Sequence, residues 1–464
     1  MHKILFDKYN DYLENSVSSE RITHKEVLKF TEKIKHTGKF IVKGLGSSIE
    51  GRDINLITIG SGKTKILAWS QMHGDEPTAT AAVFDVLNFL AADDEFNSFR
   101  KFLISNLQIN FIPMLNPDGA EKHRRENFIN VDINRDALRS ETPEAKVLLN
   151  AANEIKPDFG FNLHDQNSYY TAGKVNKTAA VSLLAPSINY NKEINGTRER
   201  SMKLICEISE ILSNYIPGQI ARYNDDFEPR AFGDNFTKMG ISSILIESGF
   251  FIDDNNKSFL RKLNFIALLS AFNSIAGKNY ERYSPKDYFN IPENESLLFD
   301  VLLRNLTLKT NGNNFKIDIG INREKCFDEK TTSFYYKGKI EQVGDLSIYY
   351  GLEEYDLTNN TVSLPANGPK SMNKREIDKL DFKNLYASEI TCIRIEDDKS
   401  IDTFTNMPIN ITYNEHSDIV ELRGEEPANL IIKDKGTVKY VVVNGFFYDL
   451  TNSTNSIYNG LVIN

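Results

Sequence analysis

Between residues 40 and 277, short runs of β-branched and apolar residues alternate with longer segments in which apolar residues recur at helical spacing. Short apolar runs bounded by turn residues are typical of buried strands, and the longer periodic segments are typical of helices. Predicted strands lie at 40–45, 54–59, 65–70, 107–113, 159–164, 181–185 and 242–247, and predicted helices at 78–92, 142–155, 192–215 and 257–276. This alternation predicts an α/β fold with a mixed twisted sheet covered by helices on both faces.

The pattern changes near residue 280. Segment 281–292 has the proline and polar content of a linker, and beyond it helical spacing is largely lost. Alternating segments at 315–321 and 439–444, separated by Asn, Gly and Asp turns, predict an antiparallel β sandwich or barrel. We therefore divide the chain into an N-terminal helical segment (1–38), an α/β domain (39–280), a linker (281–292) and a separate, mostly β accessory domain (293–464).

Two histidines and a glutamate suggest a metal site. His73 and Glu76 follow the predicted strand at 65–70, and His164 ends the apolar run at 159–164. Functional groups collect at the carboxyl ends of strands in α/β sheets. A catalytic zinc takes three nitrogen or oxygen ligands from the protein and keeps one position for water. A His and a Glu three apart are common on surface helices and turns, so His164 is essential to the prediction of one bound metal ion.

Glu247 is the candidate general base. It ends the apolar run at 242–247, which predicts a buried strand with the carboxylate emerging at the edge of the sheet. From there a carboxylate can take a proton from a metal-bound water and return it to a leaving amine. The alternative is a strand-end glutamate paired with Lys238 or another surface cation.

Further motifs accompany these residues in a fixed order: Asn116-Pro-Asp-Gly119, Arg125 followed by Val131-Asp-Ile-Asn-Arg-Asp136, and Ile244-Leu-Ile-Glu-Ser-Gly249. With the candidate metal ligands, they resemble the M14 zinc carboxypeptidase family, whose best-known form is carboxypeptidase A. The resemblance covers roughly residues 40 to 277 and implies that family's fold. It also implies one Zn²⁺ held by His73, Glu76 and His164, with Glu247 as the base.

The resemblance assigns substrate-binding roles to polar residues between the two ligand segments. Asn134 and Arg135 match the positions that bind the free C-terminal carboxylate of the substrate, and Arg125 resembles the arginine that polarises the scissile carbonyl. A planar guanidinium suits both roles. The adjacent Arg124 leaves the register open by one residue, and residues 123–125 can also form a plain basic loop.

A loop tyrosine that hydrogen-bonds the substrate is also implied, and Tyr223 is the only tyrosine in the matching stretch, 221–236. Plain packing in the loop is the alternative for this residue. The same stretch should set the preference for the released side chain. Its candidates, Arg230, Phe232 and Asp234, point to three different preferences.

Two further features are interpreted as support for the site. Asn116-Pro-Asp-Gly119 is a strong turn sequence after a predicted strand, so we interpret it as scaffold. Asp132 and Asp165 are each next to a candidate site residue. They can orient a ligand imidazole or an arginine, or they are ordinary solvated loop residues.

Composition excludes several partners. The chain has 64 acidic and 55 basic residues, a net charge of −9 and no basic stripe, which disfavours nucleic acid. It has no apolar run of membrane-spanning length and no evident signal sequence. We therefore expect no membrane span and a cytoplasmic location for the chain as written, or a periplasmic or secreted one if a leader was removed. Three widely spaced cysteines predict free thiols; the oligomeric state is not predicted.

These features predict a zinc metallocarboxypeptidase that hydrolyses an amide bond near a free C-terminal carboxylate, with a peptide or a peptidoglycan stem as substrate. Aspartoacylases and succinylglutamate desuccinylases are similar metal deacylases with a β-rich C-terminal domain, so deacylation of N-acyl amino acids is an alternative. A catalytically inactive module that binds peptide or peptidoglycan stems is another. The intact motifs at 116–119 and 131–136 favour peptide substrates.

Overall fold

The structure is a computed structural model of the 464-residue chain. It describes residues 1–365, 370–372, 380–396, 402–413, 422, 424, 426–451 and 459–463. The chain divides into two compact units, Met1–Ser296 and Leu297–Asn464. All of the predicted site residues lie in the first unit. The division lies four residues beyond the boundary drawn from the sequence at 292/293, and the finer division into domains stays a prediction.

An eight-stranded mixed sheet forms the centre of the first unit, in the order β1-β2-β4-β3-β5-β9-β7-β8. Parallel pairs join β3 to β4 and β5, β5 to β9, and β7 to β8, and the remaining pairs are antiparallel. A two-stranded sheet of β6 and β10 lies beside it. The strands are β1 Ile41–Ser47, β2 Asp53–Ile59, β3 Thr64–Trp69, β4 Leu107–Ile112, β5 Phe159–Asp165, β6 Tyr170–Ala172, β7 Val181–Leu184, β8 Ile220–Arg222, β9 Ser242–Ser248 and β10 Asn294–Ser296.

Helices cover both faces of this sheet. On β3, Ile66 and Ala68 join one apolar cluster, whereas Leu67 and Trp69 join another on the opposite face. The first cluster contains residues of α2, α3, α4, α7 and α9, and the second contains residues of α6 and α8. The helices are α1 His2–Asp7, α2 His24–His36, α3 Thr78–Ala91, α4 Asn97–Asn106, α5 Pro117–Lys122, α6 Pro143–Ile155, α7 Gly196–Leu212, α8 Phe232–Lys238, α9 Ser258–Gly277 and α10 Pro285–Tyr288. The predicted α/β architecture is confirmed.

The N-terminal residues are fastened to this core by a buried polar group. Asp85 of α3 is fully buried and accepts from Arg261 of α9 (Nε, 2.7 Å; Nη2, 2.5 Å), from the Tyr9 hydroxyl (2.7 Å) and from the Glu14 backbone N–H (2.8 Å). Arg261 also donates to the carbonyl oxygens of Glu14 and Val17. We call Tyr9, Glu14, Asp85 and Arg261 the anchor cluster.

Two further segments of the first unit pack more tightly than their composition indicates. Helix α2 begins at His24 with a capping box in which Thr23 and Glu26 bond each other's backbone N–H groups. The segment predicted as a linker contains α10, and Tyr288 and Ile291 within it are buried in the main apolar cluster.

The second unit is mostly β, as predicted. One sheet has the order β13-β12-β11-β15-β20-β21-β22 with β14 also paired to β11, and a second has the order β16-β17-β19-β23-β18. The expected antiparallel arrangement is wrong in part, because β11 pairs in parallel with β14 and β15, and parallel pairs build most of the second sheet. The elements are β11 Leu298–Thr310, β12 Asn313–Asp328, β13 Ser333–Gly344, β14 Tyr350–Asp356, β15 Asn360–Ser363, β16 Lys370–Met372, α11 Phe382–Ala387, β17 Cys392–Ile395, β18 Phe404–Thr405, β19 Asn410–Thr412, β20 Leu430–Asp434, β21 Thr437–Val443, β22 Phe446–Asp449 and β23 Gly460–Ile463.

Across the described residues of both units, no helix combines the length and the apolar character needed to cross a bilayer.

Candidate functional site

The predicted metal ligands come from the ends of neighbouring parallel strands. Strand β5 lies between β3 and β9, so the carboxyl ends of all three strands meet at one edge of the sheet. His164 on β5 pairs in register with Glu247 on β9. The turn after β3 carries His73 and Glu76 to the same edge, so four residues far apart in the sequence converge there.

The imidazoles of His73 and His164 and the carboxylate of Glu76 form what we call the metal-ligand cluster. Glu76 Oε1 lies 2.7 Å from His73 Nδ1, and Glu76 Oε2 lies 2.6 Å from His164 Nδ1. The two Nδ1 atoms are 3.1 Å apart, and one ligand atom from each residue lies within 4.8 Å of the others. Two nitrogens bound to one tetrahedral zinc at about 2.0 Å would lie about 3.3 Å apart. The spacing and the donor chemistry fit one zinc ion.

Asp132 contacts Nε2 of His73, so the other ring nitrogen, Nδ1, faces Glu76. Its Oδ1 lies 3.1 Å from His73 Nε2, so in the neutral imidazole that a metal requires, the proton on Nε2 is donated to Asp132 and Nδ1 keeps its lone pair. A carboxylate in this position sets the tautomer and the ring orientation of a metal-binding histidine. The orienting role considered for Asp132 therefore has the contact it requires.

Arg125 lies beside the metal-ligand cluster, and Arg124 does not. The Arg125 guanidinium donates to Asp132 Oδ2 from Nε at 3.1 Å and from Nη2 at 2.9 Å. Its Nη1 lies 3.1 Å from His73 Nδ1 and 3.5 Å from Glu76 Oε1. Arg124 instead donates to Asn130 Oδ1 and to a backbone carbonyl of its own loop.

Burial and neighbouring charges shift the pKa values of the metal-ligand cluster in opposite directions. Burial lowers the pKa of His73, but the Glu76 carboxylate and the contact with Asp132 outweigh it and raise that pKa to about 9. Burial also lowers the pKa of His164, and its net shift stays downward. Burial raises the pKa of Glu76, whereas the two histidines hold it well below its usual value. Glu76 is therefore ionised at neutral pH, as a zinc ligand must be.

Glu247 is placed at the edge of the cluster with its hydrogen-bonding capacity unused. It is 9% exposed, and within the described chain its carboxylate accepts no hydrogen bond and forms no ion pair, so the alternative pairing with Lys238 is not found. Burial, and then the charge of Glu76, raises its pKa well above the usual value of a glutamate. A raised pKa suits a carboxylate that must take up a proton and release it again.

Tyr223 follows β8 and lies on the Glu247 side of the site. Burial, followed by the charge of Glu247, raises the pKa of its phenol, and its side chain hydrogen-bonds Tyr170. The two tyrosine rings are 6.3 Å apart at their centroids. The structure thus brings Tyr223 near the candidate base and adds Tyr170, which the sequence did not indicate.

Asn134 and Arg135 form a short 3₁₀ turn, Ile133–Arg135, whose N-cap is Asp132. Asn134 is buried, and its Oδ1 accepts from the Phe232 backbone N–H at the start of α8 (3.0 Å). Arg135 donates to the Asn134 carbonyl at 2.8 Å, and its Nε lies 3.9 Å from Glu228 Oε2. Asn134 therefore contacts the start of helix α8, and Arg135 lies beside Glu228 in the loop before that helix.

The turn Asn116-Pro-Asp-Gly119 packs against the turn that carries His73 and Glu76. A Cβ on Gly74, between His73 and Glu76, would lie 2.0 Å from the Gly119 carbonyl carbon, so the two turns pack backbone to backbone. Asn116 caps helix α5 by accepting from the Gly119 N–H at 2.9 Å. The scaffold interpretation of this motif agrees with these contacts.

Asp165 follows His164 on β5 and is held by two donors. Its Oδ2 accepts from Thr78 Oγ1 at 2.6 Å and from Lys257 Nζ at 2.9 Å, at the starts of helices α3 and α9. It is one of the charges that raise the pKa of Glu247. A sequence reading could not pair it with Lys257, which is 92 residues away.

Comparison with known proteins agrees with these motifs. Residues 27–176 match the family model described as zinc carboxypeptidase, peptidase M14. Carboxypeptidase SOL1 of Arabidopsis thaliana is 24% identical over 200 residues, which are 37% of this chain and 39% of that protein. Probable carboxypeptidase 2 of Arthroderma benhamiae is 26% identical over 147 residues, 31% of this chain and 27% of that protein. The chain thus spans well under half the length of these curated relatives.

A solved metallo-carboxypeptidase from Burkholderia cenocepacia is 17% identical, with a TM-score of 0.47 over 56% of this chain and 70% of that one. The family match itself includes both histidines and the glutamate of the metal-ligand cluster and the turn at 116–119. The recognition made from the motifs is confirmed over residues 27–176, which match the M14 zinc carboxypeptidase family model.

Proposed function

We propose that this protein is a zinc-dependent carboxypeptidase that hydrolyses the amide bond next to the free C-terminal carboxylate of a peptide. The observation that carries the proposal is the convergence of His73, Glu76 and His164 within 4.8 Å, with Glu247 in register beside His164. Amide hydrolysis needs a metal site, a base and cations for developing negative charge, and this edge of the sheet offers all three.

His73, Glu76 and His164 would hold the zinc, which when bound acidifies water and polarises a carbonyl. Glu247 takes a proton from the attacking water and passes it to the leaving amine, since its carboxylate is buried and otherwise unbonded. Asp132 keeps the Nδ1 lone pair of His73 directed into the cluster.

Arg125 supplies the positive charge for the developing oxyanion, because its Nη1 already lies within 3.5 Å of both His73 and Glu76. Asn134 and Arg135 bind the carboxylate of the substrate, and the Tyr223 phenol, next to Glu247, donates a hydrogen bond to the peptide. Together these contacts place the last peptide bond, and not an internal one, at the base.

The test combines metal analysis with a substrate panel on the full chain. We expect one zinc per chain and release of the last residue from N-blocked dipeptides. Glu247→Gln should keep the zinc and lose about 10²- to 10⁴-fold in kcat, whereas Glu76→Gln should lose the zinc. Glu154→Gln, a similar change at an exposed Lys43 ion pair, is the matched control and should change neither.

Two outcomes contradict the proposal. Hydrolysis of N-acetyl-aspartate with none of the dipeptides would instead assign an N-acyl amino acid deacylase. Zinc binding without any hydrolysis would assign a module that only binds peptide or peptidoglycan stems. Unchanged turnover in zinc-loaded Glu247→Gln would remove that residue from the role of base.

A further inference from the structure

Asn162 is a buried amide without a hydrogen-bond partner. It lies on β5 between Phe161 and Leu163, is 1% exposed, and neither its Oδ1 nor its Nδ2 bonds any described residue. The indole Nε1 of Trp69, its register partner on β3, is also unbonded within the described chain. Leaving such groups unpaired is unfavourable, because they lose their hydrogen bonds to water on burial. Buried amides with both atoms unused therefore call for a group that binds there.

Asn162 lies on the face of the sheet that carries the metal-ligand cluster. Side chains alternate along a strand, so Asn162 and His164 face the same way, about 7 Å apart along β5. His164 is the register partner of Glu247 on β9. Two residues earlier on β5, Asn162 is the register partner of Leu245 on β9, and Leu245 in turn pairs with Leu184 on β7. We call these register partners the second row. Leu245 and Leu184 are 8% and 7% exposed and belong to neither of the unit's two main apolar clusters. This row is therefore apolar except for the amide of Asn162 and the indole N–H of Trp69.

The start of helix α8 links this row to the residues proposed to bind the substrate carboxylate. The Phe232 N–H donates to Asn134 Oδ1. A Cβ on the next residue, Gly233, would lie 3.9 Å from Asn162 Nδ2 and 3.1 Å from Pro186 Cγ. Gly233 therefore keeps the start of α8 free of a side chain on the side that faces Asn162. A residue whose carboxylate is held at Asn134 can therefore direct its own side chain past Gly233 towards Asn162.

None of the three residues proposed from the sequence to set side-chain preference carries an amide with both polar atoms unbonded. Phe232 is completely buried and packs edge-on against Phe236. Arg230 is exposed and paired with Glu228. Asp234 is buried and accepts from the Glu228 backbone N–H. Asn162 is the residue with both a donor and an acceptor to offer.

We propose, on the basis of the carboxypeptidase function above, that Asn162 determines specificity and that the enzyme preferentially releases C-terminal glutamine. A primary amide pairs with a second primary amide through one donated and one accepted hydrogen bond. The methylenes of glutamine pack against Leu245 and Leu184, and its amide reaches one carbon farther than that of asparagine. No cation or anion among the described residues occupies this row, so charged side chains pay the full desolvation penalty.

The experiment measures kcat/KM for N-blocked dipeptides ending in Gln, Asn, Leu, Lys or Glu, with the zinc-loaded full chain. We expect the wild type to favour Gln over Leu by at least about 10²-fold, because a site built to hydrogen-bond a side chain rejects an analogue that lacks the groups. Asn162→Leu, similar in shape but apolar, should lose that factor on the Gln peptide while hydrolysis of the Leu peptide is unchanged or faster.

Gly233→Ala is the matched steric variant, and it should slow release of Gln and Leu but spare terminal Ala. Zinc content and thermal unfolding of each variant report whether the fold is intact. Titration calorimetry with zinc-loaded Glu247→Gln gives a readout independent of turnover, and free glutamine should bind more tightly than free leucine.

Three outcomes overturn the inference and leave the proposed function standing. These are a wild type that prefers Lys, which would implicate Asp234, a wild type with no preference for Gln, and an Asn162→Leu variant that loses activity equally on every peptide. If the zinc-loaded wild type hydrolyses none of the peptides, the proposed function fails and the inference fails with it.

Discussion

Two of the buried charged clusters in the first unit, the anchor cluster and the metal-ligand cluster, differ in how their hydrogen-bond donors and acceptors balance. In the anchor cluster, the Asp85 carboxylate receives four donors from three residues, and one arginine offsets its charge. In the metal-ligand cluster, atoms that can each offer a lone pair to a metal converge: two imidazole nitrogens 3.1 Å apart and both oxygens of Glu76.

This difference separates a structural cluster from a site. A carboxylate whose oxygens are all matched by donors is satisfied by the protein alone, and it fastens chain segments together. Converging lone pairs are instead stabilised only by a cation or by protons, which is the arrangement that binds metals. Burial is the same in both clusters, so exposure alone would not distinguish them.

The largest expected effect tests the structural cluster. Asp85→Ala leaves Arg261 buried without its partner, and breaking such a pair costs about 3 to 5 kcal/mol. We expect the free energy of unfolding to fall by that amount in denaturant titrations, with zinc stoichiometry unchanged. Glu154→Ala, at an exposed ion pair, is the control and should change stability by about 1 kcal/mol or less. A loss of zinc in Asp85→Ala at full folding would show that the two clusters are not separate.

The buried carboxyl of Asp234, which accepts from backbone N–H groups and has no charged partner as close as those of Asp85, is a third case for this comparison. Burial raises the pKa of Asp234 from its ordinary 3.8 to about 7. The folded state therefore holds a proton that the unfolded state releases above pH about 4, so stability falls as the pH rises from about 4 to about 7. At about 1.4 kcal/mol per pH unit, the loss reaches at most about 4 kcal/mol.

Asp234→Asn keeps the acceptor for the Glu228 N–H and removes this titration. We expect the variant to be more stable than the wild type at pH 8 and equally stable below pH about 4, as measured by thermal unfolding across that range. A stability difference that does not depend on pH would mean that the Asp234 carboxyl ionises normally.

The smallest expected effect concerns Asp132, whose carboxylate contacts the metal-ligand residue His73. Asp132→Ala removes the carboxylate that orients His73, and loss of such a partner weakens metal binding about 10- to 100-fold. That corresponds to about 1.4 to 2.7 kcal/mol. Zinc competition with a chelator would measure it, and Asp132→Asn, which keeps an acceptor for His73 Nε2, should lose less. Equal affinities in all three proteins would remove Asp132 from the site.

Local sequence predicted the positions where strands end, and therefore most of the site. The apolar runs before His73, His164 and Glu247 are sufficient, because parallel strands bring their carboxyl ends to one edge. Arg124 and Arg125 could not be separated in this way, since the choice depends on a contact with Asp132. Asn162 was visible as a polar residue in an apolar run. Its lack of a partner depends on where α8 packs.

The prediction of antiparallel strands in the second unit was wrong in part. A two-residue alternation looks the same in parallel and antiparallel strands, and only the connections between strands decide which is formed. The parallel pairing of β11 with β15, more than fifty residues apart, is therefore not readable from either strand.

The anchor cluster has a practical consequence for any shortened version of the protein. The region that matches the family begins at residue 27, yet Tyr9, Glu14 and Val17 complete the hydrogen bonds of Asp85 and Arg261. Truncation at that boundary would leave the buried carboxylate of Asp85 on α3 and the buried guanidinium of Arg261 on α9 short of hydrogen-bond partners. The segment that contains Tyr9, Glu14 and Val17 thus belongs to the folding unit of the first unit, and its removal should lower the stability of that unit.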